Sequence, residues 1–187
     1  MEQDQEWMRL RDLLRERSYQ RRRVVLTSGK ESDFYIDGKL TSLHPEGAYL
    51  IGRLFLKALQ SDGPPVEAVG GMTLGADPLV TAVTIVSHIE GAPLPGFIIR
   101  KEPKGHGTKR WIEGAENISK GTPVALLEDV VTTGGTTLRA IERATSEGFE
   151  VARVLALVDR EEGGFERLNE AGFRLEPLFV RSQLEDT

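Results

Sequence analysis

The chain contains no cysteine, which excludes disulfide scaffolds, thiolate zinc sites, iron–sulfur clusters and thiol catalysis. Histidine is scarce as well: His44, His88 and His106 lack the close spacing of a histidine-based metal site. His44 and His88 read most simply as surface or hydrogen-bonded helix residues and carry no assigned role. No apolar run approaches the roughly 20 residues that span a bilayer. The opening stretch, MEQDQEWMRL, is acidic where a secretion signal is basic and then apolar. With 24 Lys+Arg against 29 Asp+Glu, the net charge of −5 argues against non-specific nucleic-acid binding. Also missing are a fixed-period repeat, a low-complexity tract and any linker long enough to separate domains. What remains is the expectation of one cytoplasmic domain over residues 1–187, without a membrane or nucleic-acid partner. A chain of this size buries roughly 70% of its unfolded surface without covalent staples.

Trp7, Leu10, Leu13 and Leu14 recur at helical spacing, so residues 4–18 read as a surface helix with one apolar stripe. Val24-Val25-Leu26 and Phe34-Tyr35-Ile36 flank Ser28-Gly29-Lys30, a pattern that predicts a hairpin or small hood. Pro45 opens a helix carrying Tyr49, Leu50, Leu54 and Leu56 as apolar positions. From residue 66 strands and helices alternate. Strands are expected at 66–69 (ending in Gly70-Gly71), 96–99, 123–127, 151–158 and 175–180, and helices at 76–89, 135–147 and 163–171. Short apolar strands between helices predict an α/β fold with a parallel sheet covered on both faces. Ligands of such sheets bind beyond the strands' carboxyl ends, here in the loops after 70, 99, 129 and 158.

Two segments carry chemistry. Residues 124–137 run from an apolar strand to Glu128 and Asp129, then Val130, Val131, Thr132, Thr133, Gly134, Gly135, Thr136 and Thr137. Gly134 and Gly135 let backbone approach a ligand, amides and hydroxyls at the new helix start favour a phosphate, and the carboxylates accept hydrogen bonds from vicinal hydroxyls. A sugar phosphate fits both halves. An ordinary threonine-capped turn accounts for the glycines but not for adjacent carboxylates after four apolar residues. Neither a Walker loop nor a dinucleotide fingerprint is present. The second segment, Arg100-Lys101-Glu102-Pro103-Lys104-Gly105-His106-Gly107-Thr108-Lys109-Arg110, is basic inside an acidic chain and too rich in glycine and proline for a regular helix. It reads either as a solvated loop or as a lid whose cations meet the charge developing on a polyanionic leaving group.

The stretch Leu127-Glu-Asp-Val-Val-Thr-Thr-Gly-Gly-Thr136 resembles the phosphoribosyl-diphosphate (PRPP) motif of the type I phosphoribosyltransferases. The basic segment followed by Ile112-Glu113-Gly114 resembles the catalytic loop of the family's orotate-using members. The resemblance spans about residues 24–164 through four motifs in order. It implies the type I fold, a central parallel sheet flanked by helices with a hood formed mainly by residues 1–40. The implied activity is transfer of ribose 5-phosphate from PRPP to orotate, giving orotidine 5′-phosphate and diphosphate in pyrimidine synthesis. It further implies Mg²⁺ carried mainly by PRPP, without direct protein ligands, and a homodimer that shares the basic loop between subunits. PRPP contacts fall to the acidic pair, the threonine–glycine turn, Arg100, Lys101, Lys104 and His106, with Lys104 the leading proton donor. Thr73, Leu74, Gly75 and Ala76 match the diphosphate-binding loop.

For the base, the resemblance implies Thr132, Arg160, Lys30, Phe34 and Tyr35. The hood signature Ser28-Gly29-x-x-Ser32-x-Phe34-Tyr35 departs from many relatives in having Thr27 where they carry lysine. Alternation puts at least one of Phe34 and Tyr35 in the core. Arg160 either binds orotate's carboxylate with its planar fork or makes a surface ion pair with Glu161 or Glu162. Two alternatives stand beside the orotate reading: a purine-type phosphoribosyltransferase, and a non-catalytic PRPP-sensing regulator.

Overall fold

The computed structural model describes residues 2–21, 24–25, 31–32, 34–103 and 110–185. Helix α1 (Glu2–Leu13) continues through a π turn over Leu14–Ser18. Its expected stripe is buried at Leu10, Leu13 and Leu14, and the Trp7 indole N–H donates to the Leu178 carbonyl at 3.1 Å. Four two-residue strands follow: β1 (Tyr19–Gln20), β2 (Val24–Val25), β3 (Glu31–Ser32) and β4 (Tyr35–Ile36). β2 pairs with β3 and β4 pairs with β1, both antiparallel. The expected pairing of residues 24–26 with 34–36 is thereby corrected. Phe34 and Ile36 join Leu10, Leu13 and Leu14 in one core cluster, and that burial draws β4 back to the end of the first helix.

A single helical turn, α2 (Lys39–Ser42), precedes α3 (Pro45–Gln60), which Pro45 opens. Leu50, Leu54 and Leu56 are buried, but Tyr49 is 55% exposed, because it shares the outer stripe with Arg53 and Lys57 at four-residue spacing. The larger sheet comprises β5 (Ala68–Met72), β6 (Gly96–Ile99), β7 (Ile112–Glu113), β8 (Pro123–Val131), β9 (Glu150–Asp159) and β10 (Leu175–Val180). Helices α4 (Ala76–Ile89), α5 (Gly135–Glu147) and α6 (Gly164–Glu170) connect these strands. The order is β10-β9-β8-β5-β6-β7, parallel except at the β6/β7 edge pair. This is the α/β architecture expected, with both faces covered. Val69, Ala125, Leu127, Leu155 and Leu157 pack with α1, α3 and α4, while Ala68, Val124, Leu126, Val154 and Ala156 pack with α5. No helix among the described residues is long and apolar enough to cross a membrane.

Two strands run three or four residues past the end the sequence pattern predicts. β5 continues through its glycines because a Cβ on Gly70 would lie 2.3 Å from the Phe97 ring, and one on Gly71 2.2 Å from the Leu127 carbonyl oxygen. Glycine serves close packing here, not a turn. β8 extends to Val131, so Glu128 and Asp129 are strand residues in register with β9. The chain leaves β5 for β6 on one side and returns to β8 on the other. The carboxyl ends of β5 and β8 therefore flank a topological switch point, the ligand-binding position of open α/β sheets.

Candidate active site

Successive strand residues point to opposite faces, so the end of β8 divides its two carboxyl groups. Glu128 turns toward α5, 8% exposed, and accepts a hydrogen bond from the Thr137 hydroxyl at 3.3 Å. Asp129 turns toward α2 and α4: Oδ1 accepts from the Val130 N–H at 2.9 Å, and Oδ2 lies 3.9 Å from the Lys39 ammonium. Lys39 is itself held by Asp37 at 2.7 Å. Burial pushes the Glu128 carboxyl up to about 8, and the neighbouring Asp129 adds to the rise. Burial raises Asp129 too, against the opposing pull of Lys39. Without ligand the pair therefore retains a proton at neutral pH, which hydroxyl donors or a cation would displace.

Beyond β8 the chain turns through Thr132 and Thr133 to Gly134, whose φ of 72° lies in the left-handed region that glycine adopts without a Cβ clash. In the first turn of α5 the Leu138 N–H bonds the Gly134 carbonyl at 2.9 Å. The amides before it have no carbonyl one turn back along the helix and form an anion-binding N-terminus. α6 buttresses the turn. A Cβ on Gly164 would sit 2.8 Å from the Thr132 carbonyl oxygen, and Arg167 donates to the Thr133 carbonyl at 3.3 Å.

The facing wall is the β5–α4 loop, where the Thr73 N–H bonds the Ile99 carbonyl at 2.9 Å and the Thr73 hydroxyl donates to Asp77 Oδ2 at 2.8 Å. The Thr73–Leu74 peptide is cis. Gly75 lies directly against the acidic pair, since a Cβ there would be 2.3 Å from Asp129 Oδ1. On the sequence-based expectation of a PRPP site here, Gly75→Ala should displace that carboxylate and weaken PRPP binding by about tenfold or more; calorimetric titration, beside an unchanged far-ultraviolet circular dichroism spectrum, measures it, and wild-type affinity would contradict the expectation.

Between these walls lies an open cavity of ≈ 560 Å³. It brings together Thr73, Leu74 and Gly75 from one wall, Glu128, Asp129, Val130 and Thr136 from the other, and Lys101 from the β6 exit. Ala76 and Val131 are buried beneath. Lys39, Met72, Arg139 and Arg143 also line it, and the sequence reading omitted all four. Thr136, Arg139 and Arg143 fall at i, i+3 and i+7 on α5, a periodicity that marks the two arginines as facing the same way; Lys39 has no such signal. Arg100 is turned elsewhere: its guanidinium bonds Glu113 at 3.0 Å and the Glu102 carbonyl at 3.2 Å. Lys30, Lys104 and His106 lie outside the described residues.

The expected base-reading turn follows β9, beside the threonine–glycine turn, with the Arg160 N–H bonding the Val131 carbonyl at 2.9 Å. Arg160 is buried; its guanidinium pairs with Glu162 at 2.8 Å and stacks over the Phe34 ring, 4.4 Å from the centroid. It is an ion pair as the alternative reading had it, but not a surface one. Arg181 covers Phe34 as well, 4.1 Å from its centroid. Phe34 is 2% exposed, so its expectation as a base-stacking surface is corrected: guanidinium groups and core packing already occupy it. Tyr35 is half-buried.

No family model matches the chain. It is 48% identical over 177 residues to the orotate phosphoribosyltransferase of Nostoc sp., covering 95% of this chain and 84% of that protein. Against the orotate phosphoribosyltransferase of Sorangium cellulosum it is 49% identical over 173 residues, 92% of this chain and 90% of that protein. The crystal structure of Mycobacterium tuberculosis orotate phosphoribosyltransferase in complex with PRPP matches with a TM-score of 0.77 at 34% identity, over 96% of this chain and 98% of that one.

Proposed function

The chain belongs to the orotate phosphoribosyltransferase family, and from that premise we propose how its own residues transfer the ribose 5-phosphate group from PRPP to orotate. Family membership sets aside the purine-type and PRPP-sensing alternatives. The observation that carries the residue assignment is the buried acidic pair set beside an amide-rich helix start on one wall of a cavity at the switch point.

In this reading the α5 N-terminus takes the 5′-phosphate, Glu128 and Asp129 accept hydrogen bonds from the ribose hydroxyls, and the amides of residues 74–76 hold the diphosphate, the expected Thr73 amide being engaged by the Ile99 carbonyl. The C1′–oxygen bond breaks with its electron pair leaving on diphosphate, and N1 of orotate attacks the oxocarbenium-like carbon from the opposite face as its N–H bond breaks, the released proton balancing the one delivered to diphosphate. Lys101 from the cavity wall, with Lys104 and His106, takes up the leaving group's charge, Lys104 as proton donor. Arg100 supports this segment's root through Glu113. Arg160 presents a planar fork to orotate's carboxylate and ring oxygen, with Thr132, Tyr35 and Lys30 completing the base site.

Magnesium prefers oxygen ligands, usually one or two carboxylates beside substrate phosphates. No cluster of three or more metal-ligating side chains occurs among the described residues, whereas the Glu128–Asp129 pair offers carboxylate oxygens at the cavity. These residues fit an ion carried mainly by PRPP, and such an ion, when bound, neutralises diphosphate charge.

A cytoplasmic homodimer completes the proposal. Leu40, Leu43 and Tyr49 are 48%, 70% and 55% exposed, an apolar stretch that begins next to Lys39 on the cavity wall. A partner docked there brings its basic segment to this site.

Following the loss of orotate absorbance with PRPP and Mg²⁺ tests the assignment. Arg160→Ala is expected to raise the orotate KM at least tenfold (about 1.4 kcal/mol or more) while calorimetric PRPP binding survives. Unchanged orotate kinetics would remove Arg160 from the base site.

A further inference from the structure

The basic segment leaves β6 at Arg100 and rejoins the sheet at β7 through Trp111, and both roots converge on one side chain of α5. Arg143 Nη1 donates to the Arg100 carbonyl at 2.5 Å and Nη2 to the Lys101 carbonyl at 3.2 Å. Its guanidinium stacks on the Trp111 indole, 4.0 Å from the centroid, and Nη1 also lies 3.3 Å from Met72 Sδ at the end of β5. The Arg100 N–H closes the same junction on the Trp111 carbonyl at 2.8 Å. One planar cation thus ties together the ends of β5 and β6, the entry to β7 and the helix whose N-terminus faces the cavity.

We propose that Arg143 is a positioning residue for the transfer reaction: by gripping the carbonyls of Arg100 and Lys101 against Trp111 it fixes where the Lys101 side chain enters the cavity. The inference rests on the reading of Lys101 as a ligand of the departing diphosphate. Lys101 is exposed, so its own side chain has little packing to set its direction, and the backbone beneath it must be held instead. The required chemistry is specific. Two carbonyl oxygens and an aromatic face need a flat group with several donors in a fork, which a guanidinium supplies and a single ammonium does not. The charge also stays on the donor side of the hydrogen bonds, leaving Lys101 to act on substrate.

The test is a double-mutant cycle on the full chain with orotate, PRPP and Mg²⁺. Lys101→Ala is expected to lower kcat/KM, and Arg143→Ala to lower kcat by about 10- to 100-fold with a smaller change in the PRPP KM, as misplacement of a catalytic group does. The double variant should be no worse than Lys101→Ala alone, because Arg143 acts through it. Arg143→Lys, which keeps helix and charge, should fail to rescue kcat. Losses that multiply in the double variant would show that Arg143 meets substrate itself and overturn the proposal, as would full activity of Arg143→Lys. A Lys101→Ala enzyme with unchanged kinetics would overturn the Lys101 assignment first, and the positioning role with it.

Discussion

Glu128→Gln is expected to yield a protein that is more stable without substrate and about 100-fold poorer as an enzyme. The substitution keeps the side chain's shape and an oxygen for the Thr137 hydroxyl while removing a charge from a buried position. In the native state this carboxyl titrates at about 8 rather than its ordinary 4.5, so between those values the folded protein holds a proton that the unfolded chain has released. Stability therefore falls as pH rises through that window, by at most about 1.4 kcal/mol per pH unit. At pH 8 the glutamine variant escapes the loss and should melt several degrees above the wild type. At pH 4.5 wild type and variant should melt together. Activity moves oppositely, since a charged acceptor for ribose hydroxyls contributes about 1.5–3 kcal/mol and the amide loses most of it. PRPP binding at pH 7 should expel a proton from the wild type and none attributable to this site from the variant, measured by calorimetry in buffers of different ionisation enthalpy. Equal melting temperatures at pH 8 would show that Glu128 is already ionised in the free protein.

That trade between stability and function also explains which regions of the molecule its sequence discloses. The segment from Leu127 to Thr137 is legible because strand, acidic pair, glycine turn and helix start are contiguous: the local chemistry and the site are the same residues. Helix α4 runs over Ala76–Ile89 and α5 over Gly135–Glu147, the bounds their periodicity predicts, with Gly134 and Gly148 both left-handed at the ends of α5. Contacts made over long sequence separations are less legible. Lys39 reaches Asp129 from a one-turn helix with no periodicity to announce it. Arg100 pairs with Glu113 because the antiparallel register of β6 and β7 sets Ile98 opposite Glu113 and Ile99 opposite Ile112, and a strand of two residues is too short to show a pattern. Phe34 carries a motif position yet serves the core, because what covers an aromatic ring is decided by arginines arriving from the β9–α6 turn and the C-terminus. Glycine misleads in the same way, since Gly70 and Gly71 look like punctuation and are packing contacts within a strand.

Mixing two inactive variants is expected to restore activity, and this result would have the largest consequence for the site's composition. Asp129→Ala removes the carboxyl that lies against Gly75 and 3.9 Å from the Lys39 ammonium, and Lys104→Ala removes the proposed proton donor; each homodimer should be nearly inactive. If the basic segment serves the partner's cavity, a mixed dimer gathers both defects into one site and leaves the other whole. Random reassortment of equal amounts makes half the dimers mixed, so about one quarter of wild-type activity should return. If each segment serves its own chain, every mixed dimer holds one defect in each site and nothing returns. Leu40→Glu with Leu43→Glu provides the control: two charges in the exposed apolar stretch beside Lys39 should lower the molar mass seen by light scattering and abolish recovery together. A mixture shown by light scattering to be dimeric and reassorted that regains no activity would disprove the shared-segment arrangement, because each segment would then be serving the cavity of its own chain.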